Sequence, residues 1–347
     1  MIVLRKLSGW IFGGVFFAAG ILKLMDPIGA SLVVSEYFKF AGLHFLIPLS
    51  WWCAELLSLA EAILGAAVMT SIRRRTTAMV SGAFMAFYTA LTVILWICDP
   101  PMDCGCFGEA IHLTHAQSLL KNLALDLLWL VIFLPGKGGF PVAGKAQRLA
   151  FRFVLSCTLL FAVLFATSIP AVDYTPFAPG GEIYRPDDFL EGAPILSFRN
   201  LDNGEYADSL AVKGRVMAVS VFDPDKIDPH DFARIRDVAE LSLERRCRFI
   251  LLVSRVPQWQ DDSVLSPSIY LADRKDLLTL NRSNGGATYL RDGMVVKKWA
   301  PRHYPDAEAL DGLLAMDPTE AAMNAETLPA LSVQGFLLIM LTLMVLL

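Results

Sequence analysis

Apolar residues in the first half of this chain form long runs rather than short alternating stretches. Five such runs precede residue 170 and a sixth lies at the C-terminus, with charged and turn-forming residues between them. A bilayer core about 30 Å thick needs roughly 20 apolar residues at 1.5 Å rise per residue. The pattern therefore predicts six transmembrane helices, at about 8–25, 45–70, 77–97, 117–135, 149–169 and 328–347.

Between the fifth and sixth runs the pattern changes. Residues 171–190 contain three prolines and two glycines, which predicts a linker. A strand at 216–222, a helix at 228–244 and a second strand at 249–254 are predicted after it. A helical turn near 273–281, a hairpin over 288–299 and a last helix near 305–315 complete the predicted elements. This order predicts an α/β domain.

Composition agrees with a membrane part joined to a soluble part. The 347 residues are 55% hydrophobic and 18% charged, against about 25% charged in a soluble domain, which excludes an ordinary cytosolic enzyme. Residues 1–170 carry twelve Lys/Arg and eight Asp/Glu, whereas residues 171–347 carry eighteen and twenty-six. This asymmetry does not favour nucleic-acid binding. The sequence contains no glycine-rich phosphate-binding loop, so it does not predict a nucleotide partner.

The loops predict an orientation. With the N-terminus in the cytoplasm, nine Lys/Arg flank the inner ends of the spans and three flank the outer ends, a strong positive-inside bias. Loops 26–44 and 98–116 and the segment 171–326 are then extracytoplasmic. Arg5 and Lys6 before the first run are also typical of a signal peptide, but Lys23 directly after the run favours a retained helix.

Three of the six cysteines, Cys98, Cys104 and Cys106, fall within nine residues of the outer loop. Disulfides persist outside the cytosol, so a redox role is one interpretation of this cluster. A Cys104–Cys106 bridge would close a very small, strained and labile ring, with Cys98 as a resolving thiol. Two alternatives stay open: a structural disulfide with one leftover thiol, and a metal site that includes His112 and His115.

Three acidic residues, Glu55, Glu61 and Asp126, lie within predicted spans, where an unpaired charge is costly. Glu55 is near the outer surface and is open to solvation. Glu61 is deeper, and the alternatives for it are protonation, a contact with Lys23 and a contact with an adjacent helix. Glu61 and Asp126 are candidates to carry protons released by thiol oxidation or to hydrogen-bond a quinone, and structural hydrogen bonds between helices are the alternative.

The N-terminal part resembles the MauE branch of the DoxX superfamily over about residues 5–135. The run Asp103-Cys104-Gly105-Cys106-Phe107-Gly108 resembles that branch's cysteine loop, and 61–65 resembles its intramembrane glutamate and glycine. Further matching positions are Gly20, Lys23, Asp26 and Pro27. The resemblance implies a four-helix module in the bacterial inner membrane. It also implies maturation of a disulfide-rich client together with a thioredoxin-like partner.

The outer domain resembles TlpA-type thioredoxin domains over about 190–315. The matching segments are Gly192-Ala193-Pro194, Phe198, 201–204, 213–216 and 286–299. The family's C-x-x-C pair is missing from 222–230, and Ala287 stands where its cis-proline would be. Since Cys247 precedes a strand and is expected to be buried, the domain is predicted to bind or position a partner rather than to catalyse exchange.

These interpretations combine into one predicted architecture. It comprises a four-helix module over 1–135, a loop and fifth helix over 136–170, a linker over 171–190, a thioredoxin-like domain over 191–320 and a sixth helix over 327–347. The predicted function is a membrane component of an envelope thiol–disulfide system with Cys104, Cys106 and Cys98 as its reactive residues. A non-catalytic client scaffold and a metal-handling protein are the alternatives.

Overall fold

The computed structural model describes residues 2–100, 102, 104–134, 143–165, 172–183, 196–201, 203–259 and 262–346. The chain divides into a helical unit, Met1–Thr167 with Val333–Leu347, and a second unit, Ser168–Ser332, named the outer unit after the side of the membrane predicted for it.

The helical unit confirms the first five predicted spans as long apolar helices. Five stretches are long and apolar enough to cross a membrane, namely Val3–Met25, His44–Met69, Arg74–Cys98, His115–Phe133 and Lys145–Phe165. The helices are α1 (Ile2–Met25), α2 (Pro27–Phe40), α3 (Ser50–Met69), α4 (Arg74–Cys98), α5 (His115–Phe133) and α6 (Lys145–Phe165). A short strand, β1 (Cys106–Glu109), lies between α4 and α5.

Helix α2 falls in the segment 26–44, which was expected to be an outer loop. Asp26 caps this helix by accepting a hydrogen bond from the Gly29 amide at 2.9 Å, and Pro27 occupies the first helical turn. Both residues are typical of a helix start. The helix is too short to span a bilayer, and for that reason a search for apolar runs misses it.

Small residues bring α1 and α3 together. A Cβ added at Gly20 would lie 2.5 Å from the backbone nitrogen of Ala62, so only glycine permits this approach. The Gly13 and Gly65 backbones also meet across this pair of helices. Close backbone contact through small residues is a usual way for transmembrane helices to associate.

The last helix, α11 (Pro318–Leu346), covers the sixth predicted span. The ring of Phe336 stacks on Phe161 of α6 with centroids 5.3 Å apart, so this end of the chain packs on the helical unit. The side chains of residues 326–333 lie outside the described part of the structure. The crossing of the membrane by this helix therefore stays a prediction.

The outer unit is built on one mixed six-stranded sheet, which confirms an α/β domain. Its strand order is β2-β5-β4-β3-β6-β7, with β3, β4 and β5 parallel and the remaining neighbours antiparallel. The strands are β2 (Phe198–Asn200), β3 (Arg215–Val221), β4 (Arg248–Val253), β5 (Ile269–Ala272), β6 (Gly286–Arg291) and β7 (Met294–Trp299). The helices are α7 (Ser209–Val212), α8 (Pro229–Glu244), α9 (Arg274–Leu280) and α10 (Ala307–Ala315).

Local sequence accounts for the main elements of this unit. Strands β3 and β4 are buried along almost their whole length, as their continuous apolar sequences predict. Asp228 caps α8 by accepting from the Asp231 amide at 2.7 Å, and Pro229 follows it. The β6–β7 turn places Asp292 and Gly293 at positive φ, which the tight hairpin requires.

The segment expected to be a linker is part of the fold where the structure describes it, over 172–183. Gly180 donates to the Val295 carbonyl at 2.7 Å, and the Val295 amide donates to Gly181 at 2.8 Å, so the segment covers the exposed edge of β7. Phe177 is buried in the core beneath the sheet. Prolines and glycines indicate that a chain bends, but they do not show whether the bends pack against a sheet. Residues 184–195 lie outside the described part.

Candidate functional site: a cysteine pair beside a buried ion pair

The loop that joins α4 to α5 carries the paired cysteines. Gly105, between them, has φ +61°, and a Cβ there would collide with the side chain of Val33 on α2. Both conditions require glycine. The Tyr37 hydroxyl, also on α2, donates a 2.6 Å hydrogen bond to the Cys104 carbonyl. Helix α2 thus holds the turn that brings the two cysteines together.

The Sγ atoms of Cys104 and Cys106 lie 2.8 Å apart, with both residues as free cysteines. Cys104 is buried, at 6% exposure, whereas Cys106 is only half-buried. A solution partner therefore has better access to Cys106 than to Cys104.

The two sulfurs differ in proton affinity. The Cys104 thiol donates to Cys106 and, together with the nearby ammonium groups of Lys121 and Lys23, lowers the pKa of Cys106 to about 5, although burial acts in the opposite direction. The same hydrogen bond, with burial, raises the pKa of Cys104 well above its ordinary value. Cys106 is accordingly the thiolate and Cys104 the proton-bearing thiol.

Lys121 comes from the second turn of α5 and reaches back over the loop. Its Nζ lies 5.0 Å from the centroid of the Phe107 ring, a cation–π distance, and its charge lowers the pKa of the Cys106 thiol. Electropositive surroundings of this kind are typical of reactive cysteines.

A buried ion pair lies among the same helices. Lys23 Nζ is 2.6 Å from Glu61 Oε2, with the two side chains 11% and 3% exposed. The Tyr88 hydroxyl of α4 donates a second hydrogen bond to Glu61. The expected contact between Glu61 and Lys23 is therefore present. Because Lys23 also acts on Cys106, the ion pair and the thiolate are electrostatically linked.

Asp126 occupies a separate polar position one helix away. The Thr89 hydroxyl donates to Asp126 Oδ2 at 2.8 Å, and Asn122, one turn earlier on α5, donates to the Tyr88 carbonyl at 3.2 Å. Glu61 and Asp126 thus contact adjacent residues of α4 rather than each other. Glu55 is half-buried, and among the described residues its Oε2 has no hydrogen-bond partner.

The remaining cysteines lie apart from this pair. Cys53 and Cys98 are exposed, and the one sulfur–sulfur contact within the described part of the chain joins Cys104 and Cys106. The structure gives no contact that would support Cys98 as the resolving thiol. Cys247 is buried beneath the outer sheet, where burial raises its pKa to about 12.

The two histidines do not form a metal centre with the cysteines in the described structure. His115 Nδ1 lies 2.9 Å from Asp99 Oδ1 and its Nε2 lies 2.9 Å from the Met102 carbonyl, so both ring nitrogens tie the loop to the start of α5. His112 is exposed. No group of three potential ligands is found among the described residues, so the metal alternative gains no support.

Sequence reasoning missed three residues of this site. Tyr37, Tyr88 and Lys121 lie in segments assigned to a loop or to unremarked helix faces. Asp26 and Pro27 could have predicted α2 and so placed Tyr37 on a helix near the cysteines. Nothing local identifies Tyr88 or Lys121, since their roles depend on which helices pack together.

Comparison with known proteins finds a match to one part of the chain. Residues 1–135 match the family model described as methylamine utilisation protein MauE. The match contains α1 to α5 and the whole cysteine loop, and it ends before the outer unit. No curated protein and no solved structure matches the chain.

Proposed function

We propose that the helical unit exchanges disulfides with an extracytoplasmic protein partner through Cys104 and Cys106. The observation that carries this proposal is the 2.8 Å approach of the two sulfurs, with Lys121 beside the more accessible one. The MauE match over residues 1–135 supports it, because the loop lies within the matched part. This unit would lie in a bacterial inner membrane with its N-terminus in the cytoplasm.

The direction of exchange follows from the stabilised thiolate. Whatever stabilises the reduced form of a dithiol makes its disulfide a stronger oxidant. Since Lys121 and the Cys104 thiol both stabilise the Cys106 thiolate, the Cys104–Cys106 disulfide would favour giving disulfides to a partner. This direction agrees with a role in maturing a disulfide-containing client.

The exchange balances in two steps. A partner thiolate attacks Cys106, the more exposed of the two residues, and displaces Cys104, so that a mixed disulfide forms. A second partner thiolate then attacks the partner's own sulfur in that mixed disulfide and displaces Cys106 as a thiolate. Two electrons pass from the partner to the loop. Of the partner's two thiol protons, one is kept by Cys104 and the other is released.

The Lys23–Glu61–Tyr88 group is proposed to carry the released proton and to adjust to the new charge. Reduction of the disulfide places a thiolate in the field of Lys23, and Glu61 is the carboxylate in direct contact with that lysine. Glu61 would accept the proton that the exchange releases.

The outer unit is proposed to position the partner. Its one described cysteine is buried with a raised pKa, so the unit supplies no reactive thiol of its own. The order strand, helix, strand, hairpin and final helix supports the proposed thioredoxin-like architecture. A domain of this kind without thiols would bind a client and leave the exchange to the loop.

A redox titration tests the proposal. The full chain, in lipid nanodiscs, would be equilibrated in glutathione buffers, its thiols trapped with a maleimide, and the pairs counted by mass spectrometry. We expect a reversible Cys104–Cys106 disulfide with a potential less negative than about −300 mV, the region of structural disulfides. Cys53→Ser should leave the titration unchanged and Cys104→Ser should abolish it.

Two results would contradict exchange. A Cys104–Cys106 bridge that stays closed under dithiothreitol would instead support the scaffold with a structural disulfide. Two sulfurs that stay reduced in oxidised glutathione would leave the loop without redox chemistry.

A further inference from the structure

A groove of about 720 Å³ runs between α4 and α5, away from the cysteine loop. Its walls are mostly apolar, and two of its lining residues, Met79 and Leu130, are well exposed on the outer face of the bundle. If these helices span the membrane, the groove opens into the hydrocarbon region. Its volume lies in the range of small-molecule sites, about 300–1,000 Å³.

One polar pair interrupts the apolar lining. Thr89 and Asp126 both line the groove, and the threonine hydroxyl donates to Asp126 Oδ2 at 2.8 Å. The carboxyl group accepts from Thr89 through one oxygen and keeps its second oxygen for another contact. A few polar groups within apolar walls are what fix the orientation of a ligand in such sites.

The aromatic wall of the groove is held in place. Trp129 Nε1 donates to Ser81 Oγ at 2.9 Å, and the indole ring lies directly over Gly82. A Cβ at Gly82 would be 2.8 Å from Trp129 Cζ2, so the glycine makes room for the ring. The groove therefore has a flat, fixed aromatic surface near its polar pair.

We infer that this groove binds the ring of a lipid-soluble quinone, with Asp126 contacting a ring oxygen and Trp129 stacking on the ring. An acyl chain would use the apolar walls but would leave the carboxyl group without a partner. A quinone uses both features, because a protonated Asp126 donates to a quinone oxygen and an ionised one accepts from a quinol hydroxyl. The apolar tail would leave through the open side.

The role of this quinone site rests on the proposed disulfide exchange, but the test of quinone binding does not. Reoxidation of the Cys104 thiol and the Cys106 thiolate to the disulfide releases two electrons and one proton. One quinone takes up these, together with the proton already released in the exchange, to become a quinol. Lys121, whose charge acts on Cys106, precedes Asp126 on α5 by five residues, about 7.5 Å of helix rise. Thr89 and Asp126 therefore lie at the end of the groove nearer the cysteine loop.

Photolabelling would locate the site. The full chain in phosphatidylcholine nanodiscs would be illuminated with an azido-benzoquinone carrying a decyl tail, and labelled peptides identified by mass spectrometry. We expect labels within 78–90 and 126–133 that excess decyl-benzoquinone removes. Gly82→Leu should reduce them at least tenfold, whereas Gly14→Leu, with no neighbour within 4 Å of its Cβ, should not. Asp126→Leu should weaken the competition by decyl-benzoquinone by up to about tenfold, because the variant loses one hydrogen bond to the ligand.

The outcomes separate this inference from the proposed exchange. Labels outside both segments, or labels there that decyl-benzoquinone does not remove, would overturn the quinone site. Labelling by a photoreactive phosphatidylcholine that decyl-benzoquinone cannot displace would assign the groove to a lipid chain. The positions labelled in the wild-type protein decide between these outcomes even if the Gly82→Leu variant does not fold. A Cys104→Ser/Cys106→Ser double variant should keep the labels, because binding does not need the thiols.

Discussion

Each of the two units contains a cysteine of limited exposure and a buried pair of lysine and carboxylate, yet the cysteines differ in chemistry. In the helical unit Lys23 pairs with Glu61 at 2.6 Å and also acts on Cys106, whose pKa falls to about 5. In the outer unit Lys298 pairs with Asp173 at 2.5 Å, whereas burial dominates at Cys247 and raises its pKa to about 12.

The difference shows that a cysteine of restricted access becomes a thiolate only where its neighbours supply charge and a hydrogen-bond donor. Cys106 has the Cys104 thiol and Lys121 beside it, whereas Cys247 is buried among apolar strands and has the charge of Arg215 to favour its thiolate. The ion pair of the outer unit joins the segment 172–183 to β7 and has a structural role. The proposed redox chemistry is therefore assigned to the helical unit.

The largest expected effect comes from breaking each ion pair in turn. Glu61→Gln and Asp173→Asn should each lower the stability of their own unit by about 3 kcal/mol, because an unpaired lysine stays buried. In Asp173 burial raises the pKa, but Lys298 outweighs it and the net pKa is lowered, as a strong pair requires. Thermal unfolding followed by hydrogen exchange in each unit would measure both losses.

The double variants are the controls for these losses. Lys23→Met/Glu61→Gln and Lys298→Met/Asp173→Asn should recover part of the stability, because neither leaves a buried charge. Only Glu61→Gln should also alter the alkylation of Cys106, since the freed Lys23 favours the thiolate further. An equal change from Asp173→Asn would contradict the separation of the two units.

Direct alkylation compares the two cysteines within one molecule. At pH 7, pKa values of about 5 and 12 give thiolate fractions that differ by about 10⁵, and the lower nucleophilicity of the more acidic thiol reduces this advantage by about 10³. Cys106 should therefore react with iodoacetamide about 10²-fold faster than Cys247. Peptide mass spectrometry over time would measure both rates in reduced wild-type protein. Similar rates would mean that the surroundings do not distinguish the two sulfurs.

Removing Lys121 should bring Cys106 closer to an ordinary thiol. Loss of a neighbouring positive charge raises the pKa of a thiol, and a shift of about one unit is expected for Lys121→Met. The thiolate fraction at pH 5 would then fall about fivefold, and little would change at pH 8. The pH profile of Cys106 alkylation measures this, with Lys39→Met, an exposed lysine of α2, as the control. An unshifted profile would exclude Lys121 as the stabilising charge.

The smallest expected effect is confined to the outer unit. Asp228→Ala removes the side chain that caps α8 and should lower that unit's stability slightly, whereas Asp228→Ser should retain most of it. Hydrogen exchange over 229–244 would detect the change. Cys106 alkylation should be the same in both variants.

The sequence predicted those features that depend on local pattern. The first five spans follow from run length, and β3, α8, β4 and the final hairpin follow from alternation and from residues such as Asp228 and Gly293. The Glu61–Lys23 contact was anticipated because a carboxylate in a span needs a partner. Each of these inferences needs only neighbours along the chain or the cost of burying a charge.

The rest depends on tertiary packing. Lys121 was counted as an ordinary outer charge, and its approach to Cys106 requires α5 to begin beside the loop. Helix α2 is short, so no apolar run of spanning length reveals it, and its contact with Cys104 follows from the fold alone. The strand-like packing of 172–183 likewise depends on a neighbour, β7, more than a hundred residues away.

Trapping of a mixed disulfide tests the central claim most directly. Cys104→Ser and Cys106→Ser would each be exposed to oxidised glutathione at pH 6, and the glutathione adducts located by mass spectrometry. The account predicts rapid modification of Cys106 in the first variant and little modification of Cys104 in the second, because only Cys106 is both accessible and ionised. Equal modification of the two, or none at either, would contradict the assignment of exchange chemistry to this loop.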